Sequence, residues 1–379
     1  MSVQEQGVSV VSVVACETYE PDAVRQAVAA VLAPLGGIGR FVRPGMRVLL
    51  KPNLLAPADL ERAITTHPAV VQAVAAMVCE AGGTVLIGDS PGGRSGDDSY
   101  VWQKTGMREA ADRTGASLVS FEGVVWKRLN GHDYFLARPL FEADLVINLP
   151  KLKTHILTRL TGAVKNLFGA IPGTRKREVH CRAPGVQDFG QALVDILELI
   201  RPGLTLMDGV VGQEGHGPGM GGTPRHYGCL ATSTDPVALD AAVARALGYR
   251  PGEVLHLAQA SARALGVSDM RANQVVGEER ALDFGKVSLP RPHWYFRVPA
   301  WVSAPVHARM RLRPRLSLSA CGGCGRCAEV CPQEAIAPGR PPRFDLSRCI
   351  GCFCCAEICP QGAIEPYSNL IARLIGVRG

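Results

Sequence analysis

The 379-residue chain has no run of about 18 uninterrupted apolar residues, so no part of it reads as a transmembrane helix. Its first residues, Met1-Ser2-Val3-Gln4-Glu5-Gln6, carry no basic cluster followed by an apolar stretch, and no secretory signal is expected. No Walker A sequence occurs, which leaves ATP coupling without support. No sequence feature points to a flavin, so a flavin cofactor is equally unsupported. Residues 286–320 contain no Asp or Glu at all. They hold Lys286, Arg291, Arg297, Arg309, Arg311, Arg313 and Arg315, which match the whole net charge of +7 left by 41 basic and 34 acidic residues. With Trp294, Tyr295, Phe296 and Trp301 alongside, the stretch has the composition of a nucleic-acid or membrane-surface contact. Pro290, Pro292, Pro299, Pro305 and Pro314 break any long amphipathic helix there, so an interdomain linker with solvated arginines is the favoured reading.

Cysteine is plentiful but unevenly placed. Nine of the 13 lie between residues 321 and 359, and Cys16, Cys79, Cys181 and Cys229 are scattered. A disulfide framework spreads its cysteines, whereas clustered thiolates need a reducing compartment, and a cytoplasmic protein follows. The cluster reads Cys321-Gly-Gly-Cys324-Gly-Arg-Cys327-Ala-Glu-Val-Cys331-Pro332 and, 28 residues later, Cys349-Ile-Gly-Cys352-Phe-Cys354-Cys355-Ala-Glu-Ile-Cys359-Pro360. Three thiolates at such spacing wrap one iron–sulfur cube, and the fourth reaches the other cube. One [4Fe–4S] cluster is therefore expected on Cys321, Cys324, Cys327 and Cys359, and a second on Cys349, Cys352, Cys355 and Cys331. Zinc also takes four thiolates, but its ribbons pair two C-x2-C knuckles without the third step and the proline. Residues 317–366 thus resemble a bacterial-type two-cluster ferredoxin. Cys354 falls outside the spacing and reads as a small thiol beside the ligands. Cys181, flanked by Lys176, Arg177 and Arg182, reads as an ordinary loop cysteine.

Ahead of this module, β-branched or apolar runs at 8–16, 47–50, 84–87, 144–148, 204–207 and 227–232 predict strands. Helices are predicted at 22–33, from His67-Pro68 to Glu80, at 186–200, and from Asp235-Pro236 to Gly248. The alternation predicts an α/β fold, a mostly parallel sheet with helices on both faces, followed by the small α+β ferredoxin-like module. Ligands of such sheets bind beyond the carboxyl ends of the strands. Lys51, Asn53, Asp89, Lys151, Lys153, His155, Asp208 and Asp235 all follow predicted strands. Gly212–Gly222 satisfies G-x-G-x-x-G, but a strand follows it in place of a helix, so a lid or an anion nest is expected there and no dinucleotide site.

Several segments in order resemble the domain-of-unknown-function 362 family: Lys51-Pro52-Asn53, Thr66-His67-Pro68, Gly88-Asp89-Ser90-Pro91-Gly92, Leu149 to His155, Gly162 to Gly169 and Met207-Asp208-Gly209. The resemblance covers about residues 46–250 and implies an architecture with a ferredoxin module at one end, but no reaction. The expected domains are 1–285 (α/β), 286–316 (linker), 317–366 (ferredoxin) and 367–379 (tail). Lys51, Asn53, Lys151, Lys153, Lys165 and Asn166 are the candidate binders of an anionic small molecule, because ammonium and amide groups suit carboxylate or phosphate oxygens. His155, Asp89 and Asp208 are the candidate proton-transfer residues. His67, before a helix-opening proline, reads as a cap. The expected function is single-electron transfer between the module and a redox partner protein or an anion bound by the α/β domain. A binding or assembly factor with structural clusters is the alternative.

Overall fold

A computed structural model of the chain describes residues 9–92, 98–250, 252–269, 272–290 and 313–367. Most of the expected linker, and the tail beyond Tyr367, lie outside the described residues. The α/β domain contains strands β1 (Ser9–Ala15), β2 (Arg47–Pro52), β3 (Thr84–Ile87), β4 (Ser117–Leu118), β5 (Val124–Leu129), β6 (His132–Ala137), β7 (Leu145–Leu149), β8 (Lys151–His155), β9 (Arg159–Thr161), β10 (Leu204–Gly215), β11 (Gly222–Ser233) and β12 (Asn273–Gly277). The main sheet runs β12-β1-β11-β10-β7-β2-β3-β4, with β8 beside β10 and β9 beside β8. β5 and β6 pair only with each other.

The alternating pattern makes helices cover both faces. Val48 and Leu50 of β2 pack with Val24, Val28, Val70 and Val74 of helices Pro21–Leu32 and Pro68–Glu80. Leu49 points the other way, into the core built by helices Val186–Ile200 and Pro236–Ala246. Val48, Leu49 and Leu50 are consecutive apolar residues because both sides of β2 are covered. The cap readings hold. The Nδ1 of His67 accepts from Ala69 N at 3.2 Å, and Asp235 Oδ1 accepts from Val237 N and Ala238 N at 2.9 and 3.0 Å.

The sheet is mostly parallel, as expected, with antiparallel pairs where β11 meets β10 and β1 and where β9 meets β8. Two other sequence readings change. The glycine-rich run is the tip of that β10–β11 hairpin, since Gly215 ends one strand and Gly222 begins the next. Leu149–His155 is not a loop after a strand. Lys151–His155 forms β8, and all five residues are buried. For the same reason Asp208 lies inside β10, opposite Lys151, and not beyond its end.

The module shows its 28-residue repeat in the backbone. Helix Arg326–Glu329 recurs as Cys354–Ile358, and strand Ile336–Ala337 recurs as Ile364–Tyr367. Gly323 and Gly351 share a left-handed backbone, as do Gly325 and Phe353. Strand Arg313–Leu316, assigned to the linker from sequence, pairs antiparallel with Ile364–Tyr367 and so belongs to the module; Tyr367, assigned to the tail, does too.

Candidate functional site

β2, β8, β10 and the segment after β3 bring together a dense set of ionisable groups, and most are buried. Lys51 Nζ lies 2.7 Å from Asp89 Oδ1, and Asp89 Oδ2 accepts from Leu54 N at 2.7 Å. Lys151 Nζ donates to Asp208 Oδ2 at 2.8 Å and to the Tyr19 hydroxyl at 2.7 Å. Tyr19 OH donates to Asp208 Oδ1 at 2.8 Å, His67 N donates to Oδ2 at 2.9 Å, and the Tyr19 and His67 rings stack 3.6 Å apart. Burying a charge is costly unless it is paired, and each of these lysines has its carboxylate.

The other lysines do not. Lys153 Nζ donates to Asn53 Oδ1 at 2.8 Å and to the Ile64 carbonyl at 2.7 Å, both neutral. Burial, reinforced by Lys165, holds its ammonium well below the ordinary lysine range. Asn53 passes the chain on: its Nδ2 donates to Asn166 Oδ1 at 3.0 Å, and Asn166 Nδ2 donates to Asn148 Oδ1 at 2.8 Å. Lys176 Nζ donates to the Ser90 and Pro91 carbonyls and to Ser90 Oγ, and burial brings its pKa down to about 7. Lys165 makes no hydrogen bond or ion pair with the described residues; its ammonium stands 5.9 Å from the Phe168 ring centroid. Asp240 fixes where Lys165 and Asn166 emerge, because its two oxygens accept from Ala163 N and Val164 N at 2.6 and 2.9 Å.

Lys153, Lys165 and Lys176 face a cavity, partly open to solvent, between the α/β domain and the cysteine module. Asn53, Asp89, Asn166, Arg177 and His180 complete its polar wall, and Leu55, Phe168, Pro218, Val330 and Ile358 its apolar one. Cys354 and Glu357 close it from the module side. Of the nine expected α/β site residues, Asn53, Asp89, Lys153, Lys165 and Asn166 are therefore together at one cavity. Lys51, Lys151 and Asp208 lie behind it in closed ion pairs. His155 also lies behind, with Nδ1 accepting from Leu157 N at 2.9 Å. That bond puts the ring proton on Nε2, which stands 3.2 Å from Glu357 Oε1, poorly aligned for a hydrogen bond. Burial opposes the Glu357 charge, but Lys165, His155 and His180 outweigh it and bring the carboxyl down to about 2.

Sequence reasoning did not single out Lys176, Arg177, His180 or Glu357 as site residues. Glu357 had a signal: it repeats Glu329 at the 28-residue spacing. The helix Arg175–Arg182 had only its basic composition. Arg177 Nη2 donates to the Cys331 carbonyl at 2.8 Å and Nη1 to the Glu329 carbonyl at 3.4 Å. Gly219 at the hairpin tip lets the module approach, since a Cβ there would stand 2.6 Å from the Glu357 carbonyl oxygen. Cys181 donates to the Pro332 carbonyl at 3.3 Å, and burial raises its thiol pKa despite Arg177, so it stays an ordinary thiol.

The cysteines fit iron–sulfur clusters. A second, smaller cavity is lined by Cys331 together with Cys349, Cys352 and Cys355, which is the interleaved set that the spacing predicts. Cys327 is pushed up chiefly by burial, with smaller contributions from Cys359 and Cys324 of the other expected set. Amide donors reach the sulfurs at equivalent points of the repeat: Ala335 N to Cys331 Sγ at 3.2 Å and Ala363 N to Cys359 Sγ at 3.3 Å. Such bonds stabilise thiolate ligands and tune potential.

The fold and the cysteine module define an iron–sulfur protein in which an α/β domain carries a ferredoxin-type unit. The chain belongs to the family described as "Domain of unknown function (DUF362)", which matches residues 48–245. A "4Fe-4S dicluster domain" matches residues 313–360. A thylakoid-associated protein of Synechocystis sp. is 40% identical over 249 residues, 64% of this chain and 76% of the relative. The lactate racemase apoprotein of Thermoanaerobacterium thermosaccharolyticum aligns at a TM-score of 0.38 and 12% identity, over 62% of this chain and 57% of that one.

Proposed function

We propose that the chain is an electron-transfer protein that exchanges single electrons between two [4Fe–4S] clusters and a small anion in the cavity between its domains. Bound clusters supply a one-electron carrier; the residues of this chain supply the place to which the electron goes. One observation carries the reading. The helix that bears ligand Cys355 and the loop that bears ligand Cys331 wall the same cavity as Lys153, Lys165 and Lys176. A molecule bound there lies against the module itself, and orientation by Lys165 keeps it there. Asp89 and His155 are placed to hold the lysines and Glu357, so they act as positioning residues. No helix among the described residues is long and apolar enough to cross a membrane. Clustered thiolates support a cytoplasmic location, with a redox protein as the source or sink of electrons.

The test is calorimetric titration of anaerobically purified protein with small anions. Lys165→Ala should weaken binding at least about tenfold while leaving the iron content and the reduced-state paramagnetic signal unchanged. Equal affinity in the variant would remove Lys165 from the site. Binding should also weaken as pH rises through about 7, because Lys176 loses its proton there. Lys176→Met should flatten that profile between pH 6 and 8.

A further inference from the structure

We infer that the molecule held in the cavity is an organic carboxylate with an apolar body, and not a bare inorganic anion. This rests on the cavity being the anion site proposed above. The first argument is charge. Lys51 is matched by Asp89 and Lys151 by Asp208, so neither leaves charge for a ligand. The Lys176 donors are taken by the oxygens of Ser90 and Pro91, so Lys176 adds charge but no hydrogen bond to a ligand, and two donors of the Arg177 fork go to the carbonyls of Glu329 and Cys331. Lys153 gives its hydrogen bonds to Asn53 and the Ile64 carbonyl, and burial disfavours its charge. Lys165 is the cavity lysine without a hydrogen-bond partner among the described residues, and Glu357 nearby already offsets part of its charge. One open ammonium suits one carboxylate. A multiply charged phosphate needs several donors and would face the carboxylates of Glu357 and Asp89.

The second argument is the wall. Leu55, Phe168, Pro218, Val330 and Ile358 come from five separate segments, two of them in the module, and converge on the space beside Lys165. Phe168 is itself held edge-on against Phe189 and His180, with centroids 5.2 and 5.4 Å apart. A small hydrated anion would leave these surfaces wet. Hydrocarbon attached to the carboxylate would cover them and release that water. The carboxylate end then meets Lys165, and the apolar end lies toward Leu55 and Val330.

The experiment uses the full-length, cluster-loaded protein under anaerobic conditions. It is titrated with acetate, butanoate, hexanoate and octanoate, and separately with phosphate and sulfate. Affinity should rise about fourfold for each methylene until the cavity is filled. Leu55→Asn, on a half-buried residue outside the packed core, should flatten that series, bringing the affinities for hexanoate and octanoate down toward that for acetate. A flat series, or phosphate or sulfate binding more tightly than hexanoate, overturns the apolar-body inference and leaves the anion site standing. No binding of any of the six overturns the site as well.

Discussion

The two halves of the cysteine module share a backbone and differ in what they face. At one repeat position the first half has Arg326, exposed, and the second has Cys354, on the cavity wall. Three residues on, Glu329 is exposed, while Glu357 reaches His155 in the α/β domain. Cys324 is exposed, and its counterpart Cys352 is partly buried. A repeated unit with two matched cysteine loops is thus asymmetric at one interface. Ligation depends on what the halves share, and contact with the α/β domain depends on where they differ. Substitutions at matched positions separate the two.

The largest effect is expected at the ligands. On the proposed ligation, Cys331→Ala removes the one thiol that the first run contributes to the second set, and about four iron atoms per chain should be lost. Cys354→Ala, in the other half, should lose none, since Cys354 stands outside the C-x2-C-x2-C spacing. Iron analysis of anaerobic protein checks both. An intact iron content in Cys331→Ala, or a loss in Cys354→Ala, would mean that the loop uses a different register of thiols.

Next come the paired glutamates. Glu357→Ala removes the carboxylate that lies 3.2 Å from His155 and offsets Lys165, leaving a partly buried ammonium without a counter-charge. A cost of about 2 kcal/mol is expected in chemical unfolding of the loaded protein. Glu329→Ala, on the exposed counterpart, should stay within about 0.5 kcal/mol. Equal costs would show that Glu357 is not a docking contact. Glu357 also predicts a pH effect. Its folded pKa is depressed below the usual carboxylate value, so the stability it contributes is present near neutral pH and is lost as pH falls toward 2.

How much of this was legible in the sequence varies with how local the cause is. The ligand thiols lie within 39 consecutive residues and obey a spacing rule, and the caps His67 and Asp235 act on amides two or three residues away. Such features can be read directly. The apolar strands and the helix Val186–Ile200 are legible because burial on both faces leaves its mark in composition. The direction of β11 is not, because a glycine-rich connector serves a hairpin tip as well as a crossover. The Lys151–His155 segment reads as a loop because it is polar. Its burial comes from Asp208, Asn53 and Glu357, which lie far away in the chain. Glu357 and Lys165 meet across the domain interface, and nothing near either residue announces the other.

The smallest effect tests whether the halves really share one backbone. Gly325 and Phe353 occupy matched positions with φ of 77° and 61°, in the region that L side chains avoid. At Gly325 an added Cβ meets nothing within 4 Å, so Gly325→Ala probes the conformation and not the packing. It should cost about 1 kcal/mol. Phe353 accepts the same backbone strain, and its ring is buried, with 4% exposure, so packing offsets the conformation. Phe353→Gly should relieve the strain but lose the ring, and so destabilise by more than Gly325→Ala, by about 2 kcal/mol net. Both are read from unfolding of the loaded protein. If Gly325→Ala were neutral, its loop would relax freely in solution, and the likeness of the halves would end at the cysteines.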